Sequence, residues 1–346
     1  MTKVSMIGLD IAKSVFQVHG EDAAGQVVVQ RRLRRSQVAA FFAELPATRI
    51  GIEACGSAHH WARELSTLGH EVRLIPAAYV KPFVRRNKTD ARDAAAICTA
   101  LGRPDMRFVA IKSREQQAAR GLERSRDLLV RQHTQLMNSV RSQLAEFGLV
   151  AAQGRRGFVA LAAAVAAGTA AVPALLLTAL RLLVQQIDRL ATAIALLEQR
   201  IVAAARAHPA MRRLATIPGI GPLTAHAIVT AIGEGKQFAR ARDFAAWCGL
   251  TRRVDQSADK RREHGISRQG DNGVRKLLVL GASALLPHRR ACPERATAWQ
   301  RGILARRPVK VAVVAQAAKN ARTAWAMLQS GASYRQPRDS AAAAAA

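Results

Sequence analysis

Short apolar runs separated by polar turns occupy the first 75 residues of the chain. Three of these runs, at residues 4–9, 15–18 and 27–29, follow one another closely and predict consecutive antiparallel strands. Two further runs, at residues 49–53 and 71–75, alternate with helical patterns at residues 36–45 and 57–68. Strands that are first antiparallel and then alternate with helices predict an α/β domain, in which a mixed sheet is flanked by helices.

Two long helical patterns come next. The first begins at Ser113 and ends at Gly148, and the second begins after Pro173 and ends at His208. In the second helix the apolar residues recur in steps of four and three, at Leu176, Leu180, Leu183, Ile187, Leu190, Ile194, Leu197 and Ile201. This spacing is typical of a coiled coil. Two interpretations stay open, because the two helices could pair as an antiparallel hairpin or the seam could join two copies of the chain.

A glycine-rich turn lies within residues 216–229 and is followed by a helical pattern. Its Pro-Gly-Ile-Gly sequence resembles a helix-hairpin-helix element, in which Gly219 and Gly221 let backbone N–H groups approach a phosphate. An ordinary tight turn between two helices is the alternative. His226, on the helix beyond the turn, is interpreted as a packed histidine rather than a ligand.

Residues 250–276 have no apolar period and predict a long polar loop, which in a compact domain is commonly functional. Its basic residues predict a phosphate-binding surface formed by Arg252, Arg253, Lys260, Arg261, Arg262, Arg268, Arg275 and Lys276. Ser257 lies among them, and neighbouring cations would favour phosphoryl transfer to its hydroxyl. The alternative for a loop serine is simple solvation.

The patterns together predict an α/β domain followed by all-α regions. An α/β domain covers residues 1–112, a helical coiled-coil segment covers 113–208, and a helical C-terminal domain covers 209–331. Within the last domain, residues 277–286 and 308–328 predict two further helices. Residues 332–346 are polar and then alanine-rich, and predict a disordered tail.

The charge of the chain indicates a polyanionic partner. Lys and Arg number 53 against 24 Asp and Glu, which gives a formal net charge of +29. Nucleic acid is the first candidate, because basic side chains release counterions from phosphates. A membrane surface is disfavoured, since no uninterrupted apolar run reaches the roughly 18 residues of a spanning helix. Four scattered cysteines and the lack of a signal peptide predict a cytoplasmic protein without zinc or disulfides.

Four acidic residues stand out in so basic a chain. Asp90 and Asp93 are three residues apart in a helical pattern and therefore share one face. They could simply favour the helix dipole behind a Thr89 cap. However, Asp10 and Glu53 end the first and fourth predicted strands, where α/β folds bind ligands. Four such carboxylates form the pattern of ribonuclease-H-like nucleases and predict a site for two divalent metal ions.

Several motifs carry a resemblance to one family. They are Ile7-Gly-Leu-Asp-Ile-Ala-Lys with Phe-Gln-Val-His-Gly20, Gly51-Ile-Glu-Ala-Cys, His59-His-Trp-Ala-Arg-Glu-Leu, Asn87-Lys-Thr-Asp-Ala-Arg-Asp-Ala, Ile217-Pro-Gly-Ile-Gly-Pro and Gly265-Ile-Ser-Arg-Gln-Gly-Asp271. From about residue 3 to residue 330 the chain resembles insertion-sequence transposases of the one-ten family, and most closely its eleven-eleven subgroup.

The resemblance implies an N-terminal RuvC-like (Holliday-junction-resolvase-like) domain with an Asp-Glu-Asp-Asp set. This set falls on Asp10, Glu53, Asp90 and Asp93, with Mg²⁺ or Mn²⁺ bound there. It also implies a C-terminal transposase domain with a nucleophilic serine, and strand exchange between donor and target DNA. Further expected partners are a guide RNA encoded by the element and further copies of the chain, in a dimer or tetramer that joins the serine of one subunit to the acids of another.

The sequence departs from the family pattern at the serine. The family commonly has Ser-Ser-Gly or Ser-Thr-Gly before Gly-Lys, whereas this chain has Gln256-Ser257-Ala258-Asp259-Lys260. Ser257 matches the second hydroxyl position, and Ser267 is a further candidate. Two other functions therefore stay open. One is a junction-resolving nuclease that uses only water and metal, and the other is a non-catalytic nucleic-acid-binding relic of a transposase.

Overall fold

Alternating apolar residues in the first part of the chain form one sheet. In the computed structural model, which describes residues 4–84, 89–257 and 260–335, the chain divides into two compact units, Met1–Arg114 and Glu115–Ala346. The strands of the first unit are β1 (Met6–Ile11), β2 (Val15–Glu21), β3 (Val27–Arg34), β4 (Arg49–Glu53) and β5 (Glu71–Ile75). The predicted domain boundaries at residues 112 and 208 stay predictions.

The sheet of the first unit is mixed, as the sequence predicts. Its strand order is β3-β2-β1-β4-β5. β1 pairs with β2, and β2 with β3, in antiparallel fashion, whereas β1–β4 and β4–β5 are parallel pairs. Ile7, Leu9, Phe16, Ile50 and Ile52 are completely buried in the core of this unit. β1 is therefore the central strand, and a helical segment separates each parallel strand from the next.

Four helices accompany this sheet. They are α1 (Val38–Ala43), α2 (Ala58–Thr67), α3 (Ala77–Val80) and α4 (Asp90–Leu101). α4 packs on β1 and β4 at Gly8 and Gly51, which are neighbours across these two strands. A Cβ atom on Gly8 would overlap the carbonyl oxygen of Ala94 and lie 2.5 Å from the amide nitrogen of Cys98. The absence of side chains at these glycines therefore lets α4 lie directly on the sheet.

Where the structure describes it, the second unit is helical apart from one hairpin. Its helices are α5 (Arg114–Ala145), α6 (Arg155–Ala167), α7 (Ala174–Ala207), α8 (Pro209–Leu214), α9 (Pro222–Ile232), α10 (Ala241–Trp247), α11 (Asn272–Ala291), α12 (Ala298–Arg306) and α13 (Val309–Ser330). The first residue of α5, Arg114, is the last residue of the first unit. Its strands are β6 (Arg252–Ser257) and β7 (Lys260–Ile266). The alanine-rich stretch before Pro173, which has no clear helical period, forms α6, because alanine favours helix strongly. A left-handed Gly168 ends that helix.

Two apolar clusters hold the second unit together. One joins α5, α6 and α7 through residues such as Val140, Phe158 and Leu180. The other contains most of the buried residues of α9, α11 and α13, including Ile228, Leu278 and Ala317. The sequence predicts a disordered tail from residue 332, and its residues from 336 on lie outside the described part of the chain. Tyr334, which is described, packs against the second cluster.

The apolar seam of α7 is directed largely into its own unit. Leu180, Ile187, Leu190 and Ile201 are buried, and the other predicted seam positions are partly buried. Both interpretations of the coiled-coil pattern stay predictions. Among the helices that the structure describes, none is long and apolar enough to cross a membrane.

Gly8→Ala should lower the unfolding midpoint of the first unit. The added methyl group must displace the backbone of α4, and such overpacking costs about 1–3 kcal/mol. Thermal unfolding of the full chain, followed by circular dichroism, measures the effect. Gly56→Ala is the matched control, because a Cβ atom at Gly56 meets no atom within 4 Å. Equal midpoints for the two variants would contradict the close packing of α4 on β1.

Candidate active site

Two of the predicted acidic residues lie at the same edge of the sheet. β1 and β4 are paired in parallel with Leu9 opposite Ile52, so that Asp10 and Glu53 each follow one member of that pair. Ligands of α/β folds bind at the carboxyl ends of parallel strands. The sheet topology therefore brings Asp10 and Glu53 to the edge at which the sequence predicts a site.

The other two predicted acids lie in the first turn of α4. Thr89 caps this helix, because its Oγ1 atom accepts a hydrogen bond from the N–H of Arg92 at 3.4 Å. Asp90 and Asp93 follow on one face, where the helix dipole stabilises negative charge. Asn87 and Lys88, which begin this motif in the sequence, lie outside the described residues.

Asp10, Asp90 and Asp93 meet in space. One carboxylate oxygen of each residue lies within 4.8 Å of those of the other two. Asp90 is exposed, Asp10 is partly buried, and the Oδ1 atom of Asp93 is buried. Glu53 is not a member of this group of three. Like charges at such distances repel each other, and a bound cation would reduce this repulsion.

The oxygen atoms of this cluster suit a hard divalent cation. Mg²⁺ binds oxygen at about 2.1 Å, so that two ligands of one ion lie up to about 4 Å apart. Small side-chain rotations would bring the three aspartates to that spacing. Further along α4, burial raises the pKa of the Cys98 thiol to about 12 and keeps it protonated at neutral pH. The three aspartates, with Glu53 at the same edge, could therefore hold Mg²⁺ or Mn²⁺.

The prediction of a long loop at residues 250–276 is wrong, because β6 and β7 form an antiparallel hairpin in this region. Every described residue of the two strands except Ile266 is exposed, so the hairpin has almost no apolar face. An apolar period in the sequence therefore could not have predicted these strands. Opposite charges pair instead. Arg252 pairs with Glu263, and His264 Nε2 lies 2.9 Å from Asp255 Oδ2. Such cross-strand pairs add little stability at exposed positions, but they favour this pairing of strands and are the signal that the sequence contained.

Ser257 ends β6 and is exposed, directly opposite Lys260 at the start of β7. Ala258 and Asp259 lie outside the described residues. Among the described residues, no carboxylate lies within 4.0 Å of the cationic groups of Lys260 and Arg262. The hydroxyl of Ser257 therefore lies beside cations whose charge is not neutralised by a described acid.

The other predicted basic residues of this region divide into two groups. Arg253 and Arg261 are exposed on the hairpin beside Asp255 and Glu263, at 3.5 and 3.2 Å. Arg268, beyond the hairpin, is exposed and has a left-handed backbone with φ 55°. Arg275 donates to the carbonyl oxygens of Cys248 and Gln269, and Lys276 pairs with Asp127 at 3.1 Å. Arg275 and Lys276 are thus engaged inside the unit.

The two predicted glycines of the 216–229 turn have different surroundings. Gly219 has φ +86°, and a Cβ atom there would lie 3.1 Å from the side chain of Asn320 and 3.2 Å from the carbonyl oxygen of Gly281. Internal packing therefore accounts for Gly219. Gly221 caps α9 and is exposed, and a Cβ atom there would meet nothing within 4 Å. The resemblance to a helix-hairpin-helix element stays a prediction.

A partly buried polar network that the sequence does not reveal joins α5, α9 and the N-terminus of α11. His226 Nδ1 lies 2.6 Å from a carboxylate oxygen of Glu123, and Thr230 donates to the same oxygen at 2.9 Å. Arg120 donates to Glu123 and to Asp271, in both cases at 2.6 Å. His226 is buried, as its interpretation as a packed histidine predicts. Because the partners are about 100 to 150 residues apart, no local pattern could have identified the network.

Comparison with known proteins gives matches along nearly the whole chain. A family model described as "Transposase IS116/IS110/IS902 family" matches residues 211–299, and a transposase model of the DEDD type named for IS110 matches residues 7–148. A Pseudomonas aeruginosa protein named "Probable family 20 transposase" is 46% identical over 96% of this chain and 99% of its own length.

Two further relatives are named after insertion sequences. The transposase for insertion sequence element IS1111A of Coxiella burnetii is 37% identical over 97% of this chain and 92% of its own. The transposase for insertion sequence element IS1328 of Yersinia enterocolitica is 36% identical over 96% of this chain and 98% of its own length. The family that the sequence motifs predict is thereby confirmed, and the chain belongs to the IS116/IS110/IS902 family of insertion-sequence transposases.

Proposed function

We propose that this transposase cuts and rejoins DNA at a metal site formed by Asp10, Glu53, Asp90 and Asp93. Transposases of this family act on DNA, so the proposal concerns the site and the mechanism. The observation that supports it most is the meeting of three aspartates from β1 and α4 within 4.8 Å. Glu53 supports it by its position beside Asp10 at the edge of the sheet.

The acidic site has a defined chemical task. A divalent cation, Mg²⁺ or Mn²⁺, would stabilise the charge that develops on a phosphodiester during cleavage. The chain contributes the carboxylates and fixes their positions: Asp10 on a central strand, and Asp90 and Asp93 on a helix that is seated on that strand. Positions fixed by strand and helix, rather than by loops, favour a defined ligand geometry.

We propose Ser257 as the nucleophile of strand exchange. Its Oγ atom would form a bond to phosphorus while the bond from phosphorus to one deoxyribose oxygen breaks. The serine proton would pass to solvent, and the released deoxyribose oxygen would take up a proton. A deoxyribose hydroxyl then attacks the phosphoserine and restores the free serine. The position opposite Lys260 supports this role, because a cation stabilises the negative charge of the transition state.

The partners that we propose are donor DNA, target DNA and a guide RNA encoded by the element, in the bacterial cytoplasm. The net charge of +29 supports binding of several nucleic-acid strands. The predicted phosphate-binding surface reduces to the exposed hairpin residues Arg252, Arg253, Lys260, Arg261 and Arg262, with Arg268 beyond them, because Arg275 and Lys276 are engaged elsewhere.

A second candidate function is hydrolytic junction cleavage by the acidic site alone. It is favoured by the replacement of the family's first hydroxyl residue by Gln256 and of its glycine by Ala258. A hydrolytic enzyme would use water in place of Ser257, and the variants described next separate the two reactions.

Asp10→Asn and Asp93→Asn should lower excision of an element-bearing plasmid segment at least about a hundredfold, because metal-assisted charge stabilisation supplies several kcal/mol. The asparagine also removes a metal ligand, so that the variant should lose the rise in unfolding temperature that Mn²⁺ confers on the wild-type protein. Asp105→Asn, at an exposed position of the same unit, is the control. Full excision by Asp10→Asn would reject the acidic site.

Ser257→Ala should abolish strand exchange and the covalent protein–DNA adduct, which is detected by denaturing electrophoresis. It should leave DNA binding intact, since only one hydroxyl is removed. Ser267→Ala is the matched control, and loss of the adduct in that variant alone would transfer the role to Ser267. If Ser257→Ala cleaves DNA at the normal rate, the hydrolytic function is correct instead.

We also propose a homo-oligomer, a dimer or tetramer, in which α7 contacts a second copy. α7 exposes Leu175, Leu182 and Leu196 to 88%, 63% and 54%, at spacings that are multiples of seven. Such a stripe is separate from the seam that is directed inward, and a partner helix would cover it.

The double variant Leu182→Glu/Leu196→Glu should shift the molar mass in solution towards the monomer, because charges on the stripe oppose its burial. Light scattering coupled to size-exclusion chromatography measures this mass. Leu280→Glu, at a leucine of α11 that is 55% exposed, should leave it unchanged. A monomeric wild-type protein, or an unchanged mass in the double variant, would argue against this interface.

A further inference from the structure

A pocket of about 440 Å³ lies within the second unit, among α5, α7, α9 and α11. Its size is within the range of cavities that bind small ligands or single building blocks of a polymer. None of the site residues predicted from the sequence lines it. The pocket is thus a separate feature from the acidic cluster and from the hairpin.

One side of the pocket is apolar. Ile201 and Ala227 are almost completely buried there, and Leu223 and Leu277 are partly buried. Leu128 also lines the pocket and is 47% exposed, so that it lies at the mouth. A ligand with an apolar part would therefore gain binding free energy when that part leaves water and contacts this side of the pocket.

The charged residues of the pocket divide into an engaged group and an available pair. Glu123 is held by Arg120 and His226, and Asp127 lies within 3.3 Å of Arg126 and 3.1 Å of Lys276.

Arg124 and Arg131 form the available pair. They are exposed and seven residues apart, and they therefore share one face of α5. In the described parts of the chain no carboxylate lies within 4.0 Å of either guanidinium group. The rim thus offers two cations to an anionic group.

We propose that this pocket binds one unpaired nucleotide of a nucleic-acid strand. The base would lie on the apolar side, its edge within reach of Asn272, and the phosphate would bind Arg124 and Arg131. A nucleotide combines an apolar flat body with an anionic group, which are the two requirements of this pocket. The inference rests on the proposed function only in taking nucleic acid as the substrate.

The size of the pocket favours an unpaired nucleotide over a duplex. A double helix presents its bases stacked and paired, so that only an extruded or single-stranded base can enter a cavity of this size. Strand exchange creates such unpaired positions. DNA and RNA carry the same chemistry here, and the experiment has one arm for each.

The test is a comparison of Kd for two short duplexes of equal length, one fully paired and one with a single unpaired nucleotide. Fluorescence anisotropy in EDTA measures binding without cleavage, so that failure of the acidic site does not affect the result. The wild-type protein should prefer the unpaired nucleotide by on the order of tenfold, the value of one well-placed base contact.

Two independent variants should remove that preference. Leu128→Trp fills the mouth without a change of charge, and Arg124→Ala/Arg131→Ala removes the phosphate ligands. The control Arg290→Ala/Arg307→Ala removes two exposed arginines that do not line the pocket, and it should weaken binding to both duplexes equally. Circular dichroism verifies folding of each variant.

A tighter Kd for the duplex with the unpaired nucleotide, lost in both pocket variants, supports nucleotide binding in the pocket. The arm that shows this preference, DNA or RNA, identifies the kind of strand that is bound. A wild-type protein without preference in either arm overturns the proposal. Retention of the preference by Leu128→Trp overturns it as well, because the arginines would then act only as backbone contacts outside the pocket.

Discussion

The direct contact of α4 with the β1–β4 pair determines where the acidic residues stand. Gly8 and Gly51 leave no side chains between the strands and the helix, and Ala94 of the helix lies against Gly8. Asp93 immediately precedes Ala94, and Asp10 lies two residues beyond Gly8. The carboxylate cluster is therefore fixed by backbone packing, and a shift of the helix would change the distances from Asp10 to Asp90 and Asp93.

Three aspartates of the first unit share one small region. One carboxylate oxygen each from Asp10, Asp90 and Asp93 lies within 4.8 Å of the other two. Like charges at such distances repel each other, and a divalent cation among them reduces that repulsion. The grouping therefore suits a site at which such a cation binds.

The sequence was sufficient where one local rule decided the structure. Short apolar runs between polar turns predicted the five strands of the sheet, and β4 and β5 have the predicted bounds. It was insufficient where stability comes from distant partners. The hairpin has almost no apolar face and therefore leaves no apolar period, and the network around Glu123 joins residues more than 100 positions apart. The acids were predicted to form one site, but the close packing of α4 on β1 that sets their spacing is not contained in local patterns.

The charge pairs of the hairpin connect its stability to its ligand. Arg252 pairs with Glu263, and Arg253 and His264 with Asp255, all on exposed strands. Exposed pairs contribute little in water and weaken with salt. A phosphate backbone competes with Glu263 and Asp255 for these arginines, and it can bind a guanidinium group through two parallel hydrogen bonds. We therefore expect nucleic acid to reorder these contacts, so that the surroundings of Ser257 depend on whether a strand is bound.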